Sequence, residues 1–205
     1  VKRIKIASEN DITHAAKQAA NCLGNGGVIA VPTETVYGLM ALWDDQKGRE
    51  RIFELKARPR EKLLQMLAPD LRTAHDHGLL PDSRLDALAE AFWPGALTVV
   101  GHAVDGTTIG LRIPDHALTL AILREVGSPL AATSANRSGA PAAYDADTAV
   151  NGLDGEPDLI IDGGTTGGDA STVVSLLNGG FKILRPGPIQ EAALRQALAA
   201  STRSS

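Results

Sequence analysis

Apolar and polar positions along this chain follow two different periods. Ile12, Ala15, Ala16, Ala19 and Leu23 recur at helical spacing, and Asn10 or Asp11 stands where a helix cap belongs. Gly24-Asn25-Gly26-Gly27 ends that helix. The same period predicts helices over Arg49–Lys56, closed by Arg58-Pro59, and over 83–92, with Leu85, Leu88 and Ala89 inward. Two more run from an Asp115 cap to about Val126 and over Gln190–Ala199. Short apolar runs predict strands at 2–6, Val28–Val31, Leu97–Val100, Ile109–Ile113, Leu130–Ala132, Leu159–Ile161, Thr172–Leu176 and Lys182–Leu184. Neighbouring strands often lack a helix between them. That predicts an α/β fold built on a twisted mixed parallel/antiparallel sheet with flanking helices, in one domain over about residues 1–200. The stretch GGTTGG at 163–168 reads as a loop, and STRSS at 201–205 as a frayed tail.

Polar residues collect where apolar runs end. PTETVY follows the strand at 28–31, Arg112 closes IGLR, Ser134-Ala135-Asn136 follows Leu130–Ala132, and Arg185-Pro186-Gly187 follows Lys182–Leu184. In open sheets, ligands bind in the crevice beyond strand ends, so these groups can line one concave site. A further segment, KARPREK at 56–62, holds four basic residues in seven. Each piece also has a plain structural reading. PTET can be a turn, KARPREK a solvated helix end, and SANRSG a cap. Taken together, guanidinium and ammonium groups suit phosphate and carboxylate, while hydroxyls and an amide suit a small polar substrate. No strong nucleophile stands beside a base. Such a site works by positioning reactants and stabilising charge.

Composition narrows the classes. With 205 residues, 43% of them hydrophobic and 21% charged, the chain can bury a full core. A net charge of −4, a pI near 5.7 and 3% aromatic residues run against a nucleic-acid binder that stacks bases, leaving at most weak RNA contact. The lone Cys22 forms no internal disulfide, and its helical position fits a small buried hydrophobe. The five histidines show no metal-ligand spacing, and no Walker loop, G-x-S-x-G or H-E-x-x-H occurs. No apolar run approaches a membrane span, and VKRIKIASEN has no signal-peptide core. A cytoplasmic location is the expectation.

The segments GGVIAVPTETVYGL, KARPREK, FWPGALTVV, GLRIPDH, PLAATSANRSGAP, DGG, STVV and ILRPGPI occur in that order. This ordered set closely resembles the YrdC/Sua5 family of threonylcarbamoyl-AMP synthases, from about residue 8 to residue 198. The chain stops soon after RPGPI, which resembles the short YrdC-type form. The resemblance implies that L-threonine, bicarbonate or CO₂, and ATP, its phosphates carrying Mg²⁺, give threonylcarbamoyl-AMP and pyrophosphate. A separate transferase complex then modifies adenosine 37 of tRNA. A non-catalytic RNA-binding or translation-associated module on the same fold is the alternative. A carbamoyl-transfer enzyme like the hydrogenase-maturation proteins is a third reading, excluded by its need for cysteine-rich zinc-finger segments.

The resemblance also implies roles. Lys56, Arg58, Ser134 and Asn136 match the family's catalytic positions. Thr33, Thr35, Tyr37, Leu67, Arg112, Ala132 and Ser171 match the threonine side, with Arg112 on the carboxylate and Tyr37 at the pocket wall. Lys56, Arg58, Lys62, Thr108, Ser134, Asn136 and Arg185 match the ATP side. No protein-held metal is implied. The chain departs from the family pattern at Leu63, where a proline is usual after the basic segment, and at GLMALWDD, where small residues are usual. Leu63 frees φ and restores an N–H that proline lacks.

Overall fold

The computed structural model describes residues 1–201. In chain order the elements are β1 (Lys2–Lys5), α1 (Asn10–Gly24), β2 (Ile29–Val31), β3 (Gly38–Leu42), α2 (Gln46–Leu55), β4 (Gln65–Leu67), α3 (Leu71–Asp76) and α4 (Ser83–Phe92). They continue with β5 (Leu97–His102), β6 (Thr108–Arg112), α5 (Ala117–Val126), β7 (Leu130–Ser134), α6 (Ala146–Asn151), β8 (Leu159–Asp162), β9 (Thr172–Ser175), β10 (Lys182–Arg185) and α7 (Glu191–Ser201). Among the described residues the strands form one sheet in the order β1-β8-β2-β3-β7-β4-β6-β5-β9-β10. Parallel pairs (β1/β8, β2/β8, β4/β6, β5/β9) are interspersed with antiparallel ones, so the sheet is mixed. The part of the tail beyond residue 201 lies outside the described residues.

Strand alternation decides which side chains meet which helices. On one face Ile29, Val31, Met40, Leu130 and Ala132 pack under Ala15, Ala19 and Leu23 of α1 and Ile122 and Leu123 of α5. On the other, Ala30, Leu39, Ala41 and Ala131 pack under Ile52 and Leu55 of α2 and Ala149 of α6. Strands β2, β3 and β7 are thus covered on both sides. Over the second half of the sheet, α4 and α7 cover Met66, Leu97, Val99, Leu111 and Val174. The residues between them in sequence, Gln65, Thr98, Val100, Thr108, Gly110, Arg112 and Val173, line an open cavity instead. The concave site is therefore a stretch of sheet face left without a helix.

Two expected caps are corrected. Neither Asn10 nor Asp11 caps α1: Glu9 precedes the helix and makes no side-chain cap bond. The Asp11 carboxylate reaches back instead, accepting from the N–H groups of Ala7 (2.9 Å) and Ser8 (2.8 Å), and so fixes the turn that feeds the helix. Helix α5 starts after His116 rather than at an Asp115 cap. The helix expected at 49–56 begins earlier, because Asp45 accepts from the N–H of Lys47 at 3.0 Å and starts α2 there.

Candidate active site

The turn after β2 is built by Thr33. Its hydroxyl donates to the carbonyl of Val36 at 2.8 Å and accepts from the N–H of Thr35 at 3.2 Å, so the plain turn reading of this residue holds. It also meets the hydroxyl of Thr35 at 2.9 Å. Thr35 in turn accepts from Arg112 Nη1 at 3.1 Å, and the other Arg112 amine, Nη2, donates to Glu34 Oε2 at 2.9 Å. Thr33, Thr35 and Arg112 are each no more than 5% exposed. Arg112 Nε and Glu34 Oε1 are buried without a partner. Burial pulls the Arg112 pKa downward, and Glu34 opposes the shift. Beside this cluster Leu67 and Ala132 line a small recess with Met40 and Gly38.

Ser171 stands across the cavity. Its hydroxyl meets Thr98 Oγ1 at 2.9 Å, and Thr98 also donates to Gln65 Oε1 at 3.2 Å. Arg185 braces the same residue: Nε and Nη2 donate to the Ser171 carbonyl at 3.1 and 2.8 Å, and Nη2 to its hydroxyl at 3.1 Å. The following turn comes so close that a Cβ at Gly187 would lie 2.5 Å from the N–H nitrogen of Thr172. The glycine of RPG is thus required by backbone approach.

The basic segment divides. Arg58 reaches the cavity, while its Nε and Nη2 donate to the carbonyls of Lys62 (2.8 Å) and Leu63 (2.9 Å). Lys56 turns the other way. It is 1% exposed, and its ammonium donates to the carbonyls of Ser134 and Asn136. Ala57, between them, adopts a left-handed φ of 46°, a conformation costly outside glycine and Asn, and the chain reverses there. Burial, then the neighbouring Arg58 charge, brings the Lys56 pKa down to about 7. Lys62 is exposed and does not line the cavity.

The cavity measures about 460 Å³ and takes in Thr35, Arg58, Thr108, Arg112, Ala132, Ser134, Asn136, Ser171 and Arg185, all expected from the sequence. Thr33 and Leu67 line its adjoining recess. Three expected wall residues stand elsewhere. Lys56 lies behind the wall, Lys62 outside it, and Tyr37 is fully buried. The Tyr37 phenol donates to the Gly164 carbonyl at 2.7 Å and accepts from the Gly163 N–H at 3.2 Å, which ties down the glycine-rich loop. Burial raises its pKa to about 12, so it stays a phenol. Sequence reasoning missed Glu34, Gln65, Thr98 and Gly110. The last three carry a readable signal: a polar or small residue alternating with buried apolar ones on β4, β5 and β6. Among the described residues no three His, Cys, Asp or Glu side chains gather as metal ligands.

The Sua5/YciO/YrdC family model, described as "Telomere recombination", matches residues 21–187. A threonylcarbamoyl-AMP synthase of Bacillus subtilis is 39% identical over 183 residues, covering 84% of this chain and 53% of that protein. A putative threonylcarbamoyl-AMP synthase of Mycobacterium leprae is 36% identical over 193 residues, covering 88% and 86%. The crystal structure of Pyrococcus abyssi Sua5 complexed with L-threonine superposes with a TM-score of 0.85 at 30% identity, over 96% of this chain and 60% of that one. The chain spans about half the length of the Bacillus relative.

Proposed function

The chain belongs to the Sua5/YciO/YrdC family, and on that premise we propose that its cavity makes threonylcarbamoyl-AMP and pyrophosphate from L-threonine, bicarbonate or CO₂, and ATP. The observation that carries this reading is the pairing, in one cavity, of a buried guanidinium with unspent donors and two hydroxyl clusters, one beside it and one across from it. Arg112 offers Nε and its remaining N–H groups to an amino-acid carboxylate, which guanidinium matches bidentately. Thr35 on one side and Ser171 on the other present hydroxyls to the substrate's polar groups. Leu67 and Ala132 supply apolar surface for a methyl.

The nucleotide takes the other end. Arg58, Arg185, Thr108, Ser134 and Asn136 share the wall, and the buried, unpartnered Asn136 Oδ1 is an acceptor awaiting a donor. The amine of threonine attacks the carbon of CO₂ and gives up a proton, or attacks that of bicarbonate, from which hydroxide leaves and takes the proton away as water. An oxygen of the resulting N-carboxylate attacks the α-phosphorus of ATP, and pyrophosphate leaves. Both partners of that step are anions. Arg58 and Arg185 offset their repulsion, and fixed positioning supplies much of the remaining rate. The cavity wall carries no carboxylate, so its donor set does not fit a protein-held divalent cation. Any Mg²⁺ arrives on the triphosphate.

In this reading the product is the activated group that a transferase complex places on adenosine 37 of tRNA, and Lys62 meets the triphosphate from the rim. The test is product analysis after incubation with ATP, labelled bicarbonate and L-threonine. Label in a threonine- and ATP-dependent adenylate, with equimolar pyrophosphate, is expected. Nucleotide turnover indifferent to threonine overturns the reading.

A further inference from the structure

Glu34 stands just off the cavity wall, yet it is the carboxylate partner of the wall's most buried cation. Its Oε2 accepts from Arg112 Nη2 at 2.9 Å, and the two side chains are 19% and 4% exposed. The next residue, Thr35, holds the adjacent amine of the same guanidinium at 3.1 Å. Two successive residues of one turn therefore grip two edges of one planar group. That fixes its plane and leaves Nε and the remaining N–H groups for a ligand. The turn itself has no slack: a Cβ on Gly168 would lie 2.3 Å from the Glu34 carbonyl oxygen. Sequence motifs did not single Glu34 out, and no step of the reaction proposed above uses it.

Its consequence is one of charge. In so dry a place an unbalanced charge is costly, and Glu34 with Arg112 forms a neutral pair. His116, also in electrostatic reach, adds nothing at neutral pH, since burial holds it below the ordinary histidine value. Arg185 also acts on Arg112, but it is exposed to solvent and its guanidinium is engaged by Ser171. A ligand that is itself neutral overall, carboxylate plus ammonium, leaves the buried balance at zero. A ligand with the same carboxylate and no ammonium leaves it at −1. Glu34 Oε1 is buried without a partner, so no further donor in the protein offsets that carboxylate's charge.

We propose that Glu34 is a specificity-determining residue, acting through Arg112: it holds the guanidinium in place and makes the pocket select a zwitterionic amino acid over the matching amine-free acid. This rests on the amino-acid reading of the cavity. The probes are L-threonine and 3-hydroxybutyrate, which keeps the carboxylate, hydroxyl and methyl and lacks only the ammonium. Both are titrated calorimetrically into wild type, Glu34→Gln and Glu34→Asp. Wild type is expected to favour threonine. Glu34→Gln leaves Arg112 uncompensated, so threonine weakens while 3-hydroxybutyrate holds or tightens, and their affinity ratio shrinks by about tenfold or more. Glu34→Asp keeps the charge one methylene further back; it should weaken both ligands and keep the preference. An unchanged ratio in Glu34→Gln, or a preference lost in Glu34→Asp too, overturns the inference. If wild type binds no threonine at all, the amino-acid reading itself falls.

Discussion

Lys56 and Ser134 lie 78 residues apart in sequence, yet the Lys56 ammonium donates to the Ser134 carbonyl and, with another of its protons, to that of Asn136. One buried cation thereby sets the backbone of the SAN segment, of which Ser134 and Asn136 line the cavity. The grip is reciprocal, since the Ser138 N–H donates to the Lys56 carbonyl at 2.9 Å.

Lys56→Met is expected to leave both carbonyls without their donor. An orphaned buried polar group costs roughly 1–3 kcal/mol, so the loss should be visible in denaturant unfolding. ATP affinity should fall as well, because Ser134 and Asn136 lose their setting. A variant as stable as wild type, with unchanged ATP binding, would show that water replaces the ammonium at no cost.

The same lysine makes stability depend on pH. Its folded pKa is about 7, down from the ordinary 10.5, with burial the larger cause and Arg58 the second. Between those values the unfolded chain holds a proton that the folded chain has released, so stability rises with pH across that window. Its contribution is fully present above the unfolded pKa and is lost as pH falls to about 7. Unfolding free energies from pH 6.5 to 10, wild type minus Lys56→Met, should trace this slope. A flat difference means that the two carbonyls hold the ammonium charged throughout.

Arg112→Lys is expected to weaken threonine binding by about 10- to 100-fold, because a point ammonium cannot meet Thr35, Glu34 and a ligand carboxylate in one plane. ATP affinity measured without threonine should change little. Equal losses for both ligands would place Arg112 on shared structure instead.

Arg58 and Arg185 should separate in steady-state kinetics. Each loses a charge-assisted phosphate contact on truncation to alanine, about 1.5–3 kcal/mol. Arg58→Ala should raise the KM for ATP alone. Arg185→Ala also unbraces Ser171, so the KM for threonine should rise with it. A rise confined to threonine in either variant contradicts the assignment of the nucleotide end.

Much of this arrangement can be read from the chain, and the exceptions have physical causes. Strand β3 escaped notice because Gly38–Ala41 is buried on both faces, which removes the alternation that marks a strand. Strand β4 has three residues, and α3 and α6 six each, too short for a period to show. The hydroxyls and arginines at strand ends line one cavity because strand direction delivers them to one rim. Lys56 lies behind that wall, and nothing in a run of basic residues tells a buried ammonium from a solvated one. Glu34 hid in the turn after β2; its ion pair exists only once Arg112, 78 residues away, lies beside it.

The uncovered sheet face also has a history within each molecule's synthesis. Its walls are drawn from residues far apart in sequence: Thr35 is made first, Arg112 later, and Ser171 with its brace Arg185 last. A growing chain can close the 33–37 turn and pair β2 with β3 while most of the sequence is still unmade. It cannot own a complete cavity until β9 has docked beside β5. A ligand that bridges both walls therefore stabilises only the finished fold. For this protein, occupancy of the site therefore reports that the strands from β2 to β10 have been made and assembled into one sheet.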